Sequence, residues 1–189
     1  MADTDKIKNM GARALADLSV VLNNVQEADI EGFITAIVGA KRVALHGLGR
    51  EGLQIRGLAM RLFHLGIGAH VVGDMTTPPL GAGDLLIVSA GPGDFTTIEA
   101  LMNIAKKAGA KTAVVTAQAS GGAALRADVV LHIPAQTMAS DQAGKLSVLP
   151  MGSLFEFAMM LIFELVVLRL RHRLGETPET MLARHTNLE

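Results

Sequence analysis

The sequence predicts an α/β fold: a three-layer sandwich in which a five-stranded parallel sheet is flanked by helices. Short, apolar, β-branched segments recur along the middle of the chain, and segments of helical length separate them. Because strands that are buried on both faces are apolar throughout, this pattern favours a parallel sheet with helices on each face. The length of 189 residues suits a single domain, which we expect to span 1–189.

The elements follow from these segments in chain order. Two helices, 5–25 and 29–40, come first. The expected strands are 42–46, 69–73, 84–90, 111–116 and 128–133, and the helices between them are 51–66, 95–109 and 120–127. A loop from Pro134 to Pro150 leads to an apolar helix at 152–170 and a short polar tail. The domain thus divides into N-terminal helices (5–40), a sheet core (41–134) and C-terminal helices (151–189).

Composition excludes several classes of function. The net charge of −1 leaves no basic surface for a nucleic acid. With no cysteine, disulfides, thiol catalysis and thiolate metal sites are excluded together. The N-terminal residues lack the pattern of a signal peptide, so a cytoplasmic location is expected.

The apolar segment 148–170 is a candidate for a membrane-spanning helix. Glu156 and Glu164 divide it into runs far shorter than the roughly 20 residues that a span needs. A helix that is apolar nearly all round is otherwise buried in a core or at a subunit interface. We therefore expect no membrane association, and we expect a homo-oligomer.

The glycine-rich stretch VALHGLGREG, residues 43–52, has the G-x-G-x-x-G spacing of a dinucleotide-binding turn. Asp74 follows Gly52 by 22 residues, where a carboxylate that binds a ribose hydroxyl is expected. Two features count against a nicotinamide enzyme. Two helices precede the first strand, and a proline-bearing loop rather than a helix follows Asp74.

A second loop of small residues, Ser89 to Thr97 (SAGPGDFTT), follows the third strand. Two such loops at the carboxyl ends of parallel strands, each opening a helix, form one crevice with free backbone N–H groups for an anion. Hydroxyl groups and Arg50 add further donors. The size suits one phosphate on a short polyol chain.

The sequence resembles the 6-phospho-3-hexuloisomerase family over nearly its whole length. The resemblance rests on GLGREG, TPPLGAGDLLI, LPMGSLFE and the C-terminal RHTNLE. It implies a sugar isomerase (SIS) domain of the flavodoxin-like or Rossmann-like type, no cofactor and a tetramer. The implied reaction interconverts 3-hexulose 6-phosphate and fructose 6-phosphate. The expected substrate-binding residues come from the two loops: Gly47, Gly49, Arg50, Glu51, Ser89, Gly91, Gly93, Asp94, Thr96 and Thr97.

Two residues are expected to be catalytic. Moving a carbonyl between neighbouring carbons needs a base that carries one proton through an enediol. Glu156 lies one turn into an apolar helix, where burial would raise the pKa of a carboxyl group, and the family pattern PMGTLFE implies the same role. His185, in ARHTNLE, is implied by the pattern RHANLE to assist ring opening or proton relay in a neighbouring subunit's site. The histidines and carboxylates show no metal-ligand spacing, so no metal is expected.

The chain departs from its family in both loops. Glu51 stands where a phosphate-binding serine is expected, and Pro92, Asp94 and Phe95 replace a serine, a glutamate and a threonine. Three alternatives remain open: an isomerase with a rebuilt anion site, an isomerase of a different or less anionic sugar, and a sugar-phosphate-binding protein without turnover.

Glu51 is the residue that agrees least with the family resemblance. At about 4 Å, two like unit charges repel by roughly 4 kcal/mol at an effective dielectric constant near 20. We expect Glu51 to point away from a bound phosphate and to pair with Arg50 or Arg56. The alternative is that Glu51 binds sugar hydroxyl groups.

Overall fold

The secondary structure comes from a computed structural model, which describes residues 6–141 and 146–188. In chain order the described elements are α1 (Ile7–Asn24), α2 (Glu27–Val38), β1 (Val43–His46), α3 (Gly49–His64), β2 (Ala69–Val71), β3 (Leu85–Ser89), α4 (Thr96–Lys107), β4 (Lys111–Thr116), α5 (Gly122–Arg126), β5 (Val129–His132), α6 (Ser153–Leu174) and α7 (Pro178–Leu182). The five predicted strands and the helices between them are confirmed, with ends that differ by a few residues.

One all-parallel sheet is formed in the order β2-β1-β3-β4-β5. In the centre, His46 of β1 is level with Val88 of β3. The chain runs from β1 to β2 in one direction and from β3 to β5 in the other. A crevice therefore opens between the carboxyl ends of β1 and β3, the position at which ligands bind in sheets of this type.

Alternating side chains of the strands supply two separate cores. On one face, Val43 and Leu45 of β1 pack with α1, α2, α3 and α6. On the other face, Ala44 of β1 and Val88 of β3 pack with α4 and α5. The sheet is thus the middle of three layers, as the apolar strands predict.

Helix α6 is longer than the sequence indicated. It continues through Arg171, His172 and Arg173 and ends at Gly175, whose positive φ of 68° gives a left-handed cap. Basic side chains in the last turn favour this extension because they interact with the free carbonyl groups there.

Helix α7 lies in the segment that the sequence analysis describes only as a short polar tail within the C-terminal helices. Thr177 and Thr180 form a reciprocal capping box at its start, and Pro178 occupies the first turn. The signal was present in the sequence as T-P-x-T, a proline directly after a capping threonine. Among the described helices, none is long and apolar enough to cross a membrane.

Candidate functional site

The crevice between β1 and β3 is the place where the predicted site residues meet. Helix α3 begins there after β1, and α4 begins there after the loop that follows β3. Neither helix has a side chain that caps its first turn. Backbone N–H groups of both helices are therefore open to a ligand.

The glycines of the first loop serve close packing. A Cβ atom on Gly47 would lie 2.6 Å from Ser89 Oγ, and a Cβ atom on Gly52 would lie 2.5 Å from the Gly47 carbonyl oxygen. Gly49 has a positive φ of 53°, which favours glycine. The G-x-G-x-x-G spacing thus brings α3 against β1 and β3, a sufficient reason for these glycines that involves no dinucleotide.

Glu156 reaches the same crevice from the first turn of α6. Arg50 on α3 donates its Nε–H to Glu156 Oε2 at 2.5 Å. The arginine side chain is 63% exposed and the glutamate side chain only 12%. A nearly buried carboxylate is therefore held at the mouth of the crevice by a cation that is itself open to ligand.

Glu51 does not turn away from the second loop, and the expectation that it pairs with Arg50 or Arg56 is wrong. Its Oε2 accepts the Gly91 N–H at 3.1 Å. Arg50 is engaged by Glu156, and Arg56 lies 3.9 Å from Asp74. The reason is local: Gly91 offers a backbone donor, and only a glycine there leaves room, because a Cβ atom would lie 2.7 Å from Glu51 Oε1.

The two carboxylates, Glu51 and Glu156, are close enough to interact. Burial raises the pKa of Glu51 above its usual range, and the charge of Glu156 adds to the rise; the Gly91 N–H and the Ser89 hydroxyl act in the opposite direction. Ser89 is fully buried, and the group on which its hydroxyl acts is the Glu51 carboxylate. The serine therefore belongs to the packing around Glu51 and not to the open part of the crevice.

The rest of the second loop divides into two parts. Asp94 is directed toward α5, where Arg126 binds both of its carboxylate oxygens at 2.8 and 3.0 Å. It is therefore not brought to the two carboxylates of the crevice. Thr96 and Thr97, on the first turn of α4, are exposed.

Backbone contacts with the next loop fix the position of the second loop. Gly93 has a φ of 107°. A Cβ atom on Gly121 would lie 2.7 Å from Gly93 Cα. The loop that carries the Gly91 N–H is thus packed against the loop before α5.

His185 lies elsewhere in its own chain. Its ring stacks on that of His64 at the last residue of α3, with 5.2 Å between the ring centroids. The first residue of α3, Gly49, lies at the crevice, so the length of the helix separates the two places by about 22 Å. His185 and Glu156 are not brought together within one chain.

Residues that the sequence did not single out also shape the site. Phe155 packs beside Gly91, where a Cβ atom would lie 2.8 Å from its ring. Arg126 holds Asp94 and also approaches Glu99 at 3.6 Å. His46 ends β1, with its Nε2 buried and without a hydrogen-bond partner among the described residues. Of Phe155, Arg126 and His46, only Phe155 lies in a motif on which the family resemblance rests, LPMGSLFE. In the described residues no cluster of three or more histidines and carboxylates is arranged to hold a metal ion.

The sequence has relatives of known name over most of its length. The sequence is 40% identical over 153 residues to the 3-hexulose-6-phosphate isomerase of Mycobacterium gastri, covering 81% of this chain and 76% of that protein. It is 35% identical over 175 residues to the 3-hexulose-6-phosphate isomerase of Methylomonas aminofaciens, covering 93% and 96%. No profile of a protein family matches the chain.

A solved structure agrees with the sequence relatives. A hypothetical protein of Methanococcus jannaschii, whose crystal structure infers the function of a 3-hexulose-6-phosphate isomerase, superposes with a TM-score of 0.80 at 26% identity. The superposition covers 96% of this chain and 98% of that one.

Proposed function

This chain belongs to the 3-hexulose-6-phosphate isomerase family, and we propose that it interconverts 3-hexulose 6-phosphate and fructose 6-phosphate through an enediol. The observation that carries the proposal is the placement of Glu156. Its carboxylate is nearly buried, lies at the crevice between β1 and β3, and is held there by Arg50. An enediol mechanism requires one such base beside the carbons of the carbonyl group.

Glu156 is the proposed base. A single carboxylate can take the proton from one carbon and return it to the next, because the two carbons are adjacent in the sugar. The exposed guanidinium of Arg50 adds a positive charge for the enediolate oxygen that develops in the reaction.

The phosphate group is proposed to lie at the first turn of α4. Glu51 already accepts the Gly91 N–H, so this donor is not free for an anion. Thr96 and Thr97 offer exposed hydroxyls and uncapped backbone N–H groups. Arg126 offsets the charges of Asp94 and Glu99 nearby, which leaves the helix N-terminus favourable for an anion.

The assembly is proposed to be a homotetramer in which subunits share sites. Helices α3 and α6 pack side by side and expose large apolar side chains on their outer surfaces: Leu53, Met60, Phe63, Phe157, Met160 and Leu168. Apolar patches of this kind mark contact surfaces. His185, which is distant from Glu156 in its own chain, is proposed to complete the site of a partner subunit.

Hydrogen exchange tests the activity. Fructose 6-phosphate is incubated with the protein in deuterium oxide, and deuterium at C3 is followed by NMR. A 2,3-enediol exchanges the hydrogen at C3, whereas a 1,2-enediol exchanges those at C1. We expect exchange at C3 with formation of the 3-ketose, and a loss of about 10²–10⁴ in rate for Glu156→Gln.

A matched control is Glu27→Gln, which removes an exposed carboxylate from the first turn of α2 and should exchange at the rate of the unaltered protein. A Glu156→Gln protein that keeps full turnover would show that Glu156 is structural.

A second candidate function is sugar-phosphate binding without turnover. It is favoured by the Glu51 carboxylate at Gly91 and by the loss of family hydroxyls in the second loop. Binding of fructose 6-phosphate in calorimetry, together with no exchange at C3, would establish this candidate over the isomerase.

A further inference from the structure

We propose that Glu51 is a second catalytic residue, which carries the proton between the two neighbouring sugar oxygens while Glu156 carries the proton of the carbon. This inference rests on the proposed isomerase activity and extends it. It gives a role to the residue in which the chain departs most from its family.

The geometry places two carboxylates in one crevice from different helices. Glu51 comes from the first turn of α3 and Glu156 from the first turn of α6. The groups that face Glu51 are the Gly91 N–H of the second loop, the hydroxyl of Ser89 on β3, and the carboxylate of Glu156. The other charged residues that were expected at the site from the two loops are otherwise engaged: Arg50 binds Glu156 and Asp94 binds Arg126.

The environments of the two carboxylates differ in the way that separates an acid from a base. Glu156 has a guanidinium partner, Arg50, at 2.5 Å. Glu51 has only uncharged donors, and burial raises its pKa. When neighbouring carboxyl groups have such different surroundings, the one without a cation is the proton donor and the paired one is the base.

Ser89 supports the Glu51 carboxyl group from inside the fold. Its side chain is fully buried beside Gly47, so its hydroxyl is closed to a ligand and acts on Glu51, as the Gly91 N–H does. Glu51 itself is only partly buried. A sugar hydroxyl that enters the crevice can therefore reach its carboxyl group, which is the contact that proton transfer requires.

The two residues together account for every proton that is transferred. Starting from the 3-ketose, the Glu156 carboxylate removes the proton from C2, the C2–H electrons form the C2=C3 bond, and the carbonyl electrons move to O3, which takes a proton from Glu51. The Glu51 carboxylate then removes the proton from O2, its electrons form the C2 carbonyl, and the C2=C3 electrons take the proton from Glu156 at C3. Both residues return to their starting states, and no co-reactant is consumed.

The test compares the full-length protein with Glu51→Gln, Glu51→Ser and the control Glu27→Gln, whose carboxylate lies on the first turn of α2 away from the crevice. Turnover of fructose 6-phosphate is measured as 3-ketose formation and as deuterium exchange at C3 between about pH 5 and 9. The amide of Glu51→Gln preserves shape but releases no proton. We expect kcat to fall about 100-fold or more while KM changes less than about threefold.

The pH profile separates a proton donor from a structural residue. Glu51 must start protonated, so the activity of the unaltered protein should fall as pH rises through the pKa of Glu51. This alkaline decline should be absent from the residual activity of both Glu51 variants and present in Glu27→Gln. Glu51→Ser, which removes the carboxyl altogether, provides the second variant if the amide disturbs folding.

Three results would overturn the inference. If both Glu51 variants turn over within about threefold of the unaltered protein, Glu51 is not catalytic, while the isomerase activity stands. If Glu51→Ser binds fructose 6-phosphate about a hundredfold more tightly and keeps its turnover, Glu51 acts against phosphate instead. If the unaltered protein neither exchanges C3 hydrogen nor forms the 3-ketose, the proposed function falls together with this extension.

Discussion

Arg50 on the first turn of α3 donates its Nε–H to Glu156 on the first turn of α6, with 2.5 Å between the two heavy atoms. The two residues are 106 positions apart in the chain. This ion pair joins two helix N-termini at the crevice and fixes the direction of the carboxylate. Because the arginine is largely exposed and the carboxylate largely buried, a substrate can approach the pair from the arginine side.

Arg50→Gln is expected to lower kcat/KM by about 10², since a reacting group displaced by about 1 Å loses that much. Arg50→Lys should be intermediate because a lysine keeps the charge without the planar donor geometry. Steady-state turnover of fructose 6-phosphate measures both. The control is Arg56→Gln on the same helix, whose partner Asp74 is 3.9 Å away at the surface. Equal activity of Arg50→Gln and the unaltered protein would contradict the positioning role.

Mixed assemblies test whether His185 serves a partner's site. Glu156→Gln and His185→Ala chains are each expected to be inactive, and subunit exchange between them should restore part of the activity. The reason is that a hybrid places an intact Glu156 from one chain beside an intact His185 from another. Exchange is confirmed by mass spectrometry of the mixed oligomers. Mixed oligomers that stay inactive would rule out sites shared in this way.

The outer surface of α6 should determine assembly. Met160 is 55% exposed among other apolar side chains, so Met160→Glu would bury a charge at the proposed contact and should dissociate the oligomer. Analytical ultracentrifugation measures the mass. Ile104→Glu on α4 is the control, because Ile104 is 64% exposed on the opposite layer. A monomeric unaltered protein would contradict the proposed tetramer.

Asp84 should contribute stability that is lost in acid. Burial disfavours its charge, but hydrogen bonds from Arg42 and the Gly81 N–H outweigh this and lower its pKa. A lowered folded pKa means that the contribution is complete above the unfolded value of about 3.9 and disappears as pH falls through the folded value. Asp84→Asn is expected to lower the free energy of unfolding by about 1–3 kcal/mol at neutral pH.

Urea unfolding at several pH values measures this contribution. The loss caused by Asp84→Asn should shrink as the pH falls below about 4. Asp74→Asn serves as the control, since Asp74 is half exposed and its partner is distant. A difference between Asp84→Asn and the unaltered protein that does not change with pH would contradict an effect of charge.

The parts of the fold that follow from local patterns could be predicted from the sequence. The strands β3 and β4 are apolar runs with clear ends, and burial on both faces leaves no other arrangement for them. The apolar pattern of the sequence ends before α6 does, because the last turn of the helix is polar; Gly175 marks the true end. For α7 the signal lies in the capping threonines and not in an apolar pattern.

The candidate site also has parts that the sequence predicts and parts that it does not. Gly91 and Ser89 could be placed in the crevice because the topology brings the carboxyl ends of β1 and β3 together. The direction of Glu51 could not, because it depends on a single backbone N–H that is 40 positions away. The partner of Asp94 could not be predicted either, because Arg126 lies on a different element and no local sequence pattern indicates the pair.

The contact between Gly93 and Gly121 has a consequence for how variants of this protein would be interpreted. Any side chain at 121 must push the loop that carries the Gly91 N–H, since a Cβ atom would stand 2.7 Å from the Gly93 backbone. A survey of random substitutions would then find that Gly121 tolerates substitution as poorly as Glu51 and Glu156 do. Its intolerance would reflect the spacing of two loops, so a position essential for activity can lie outside the reacting groups altogether.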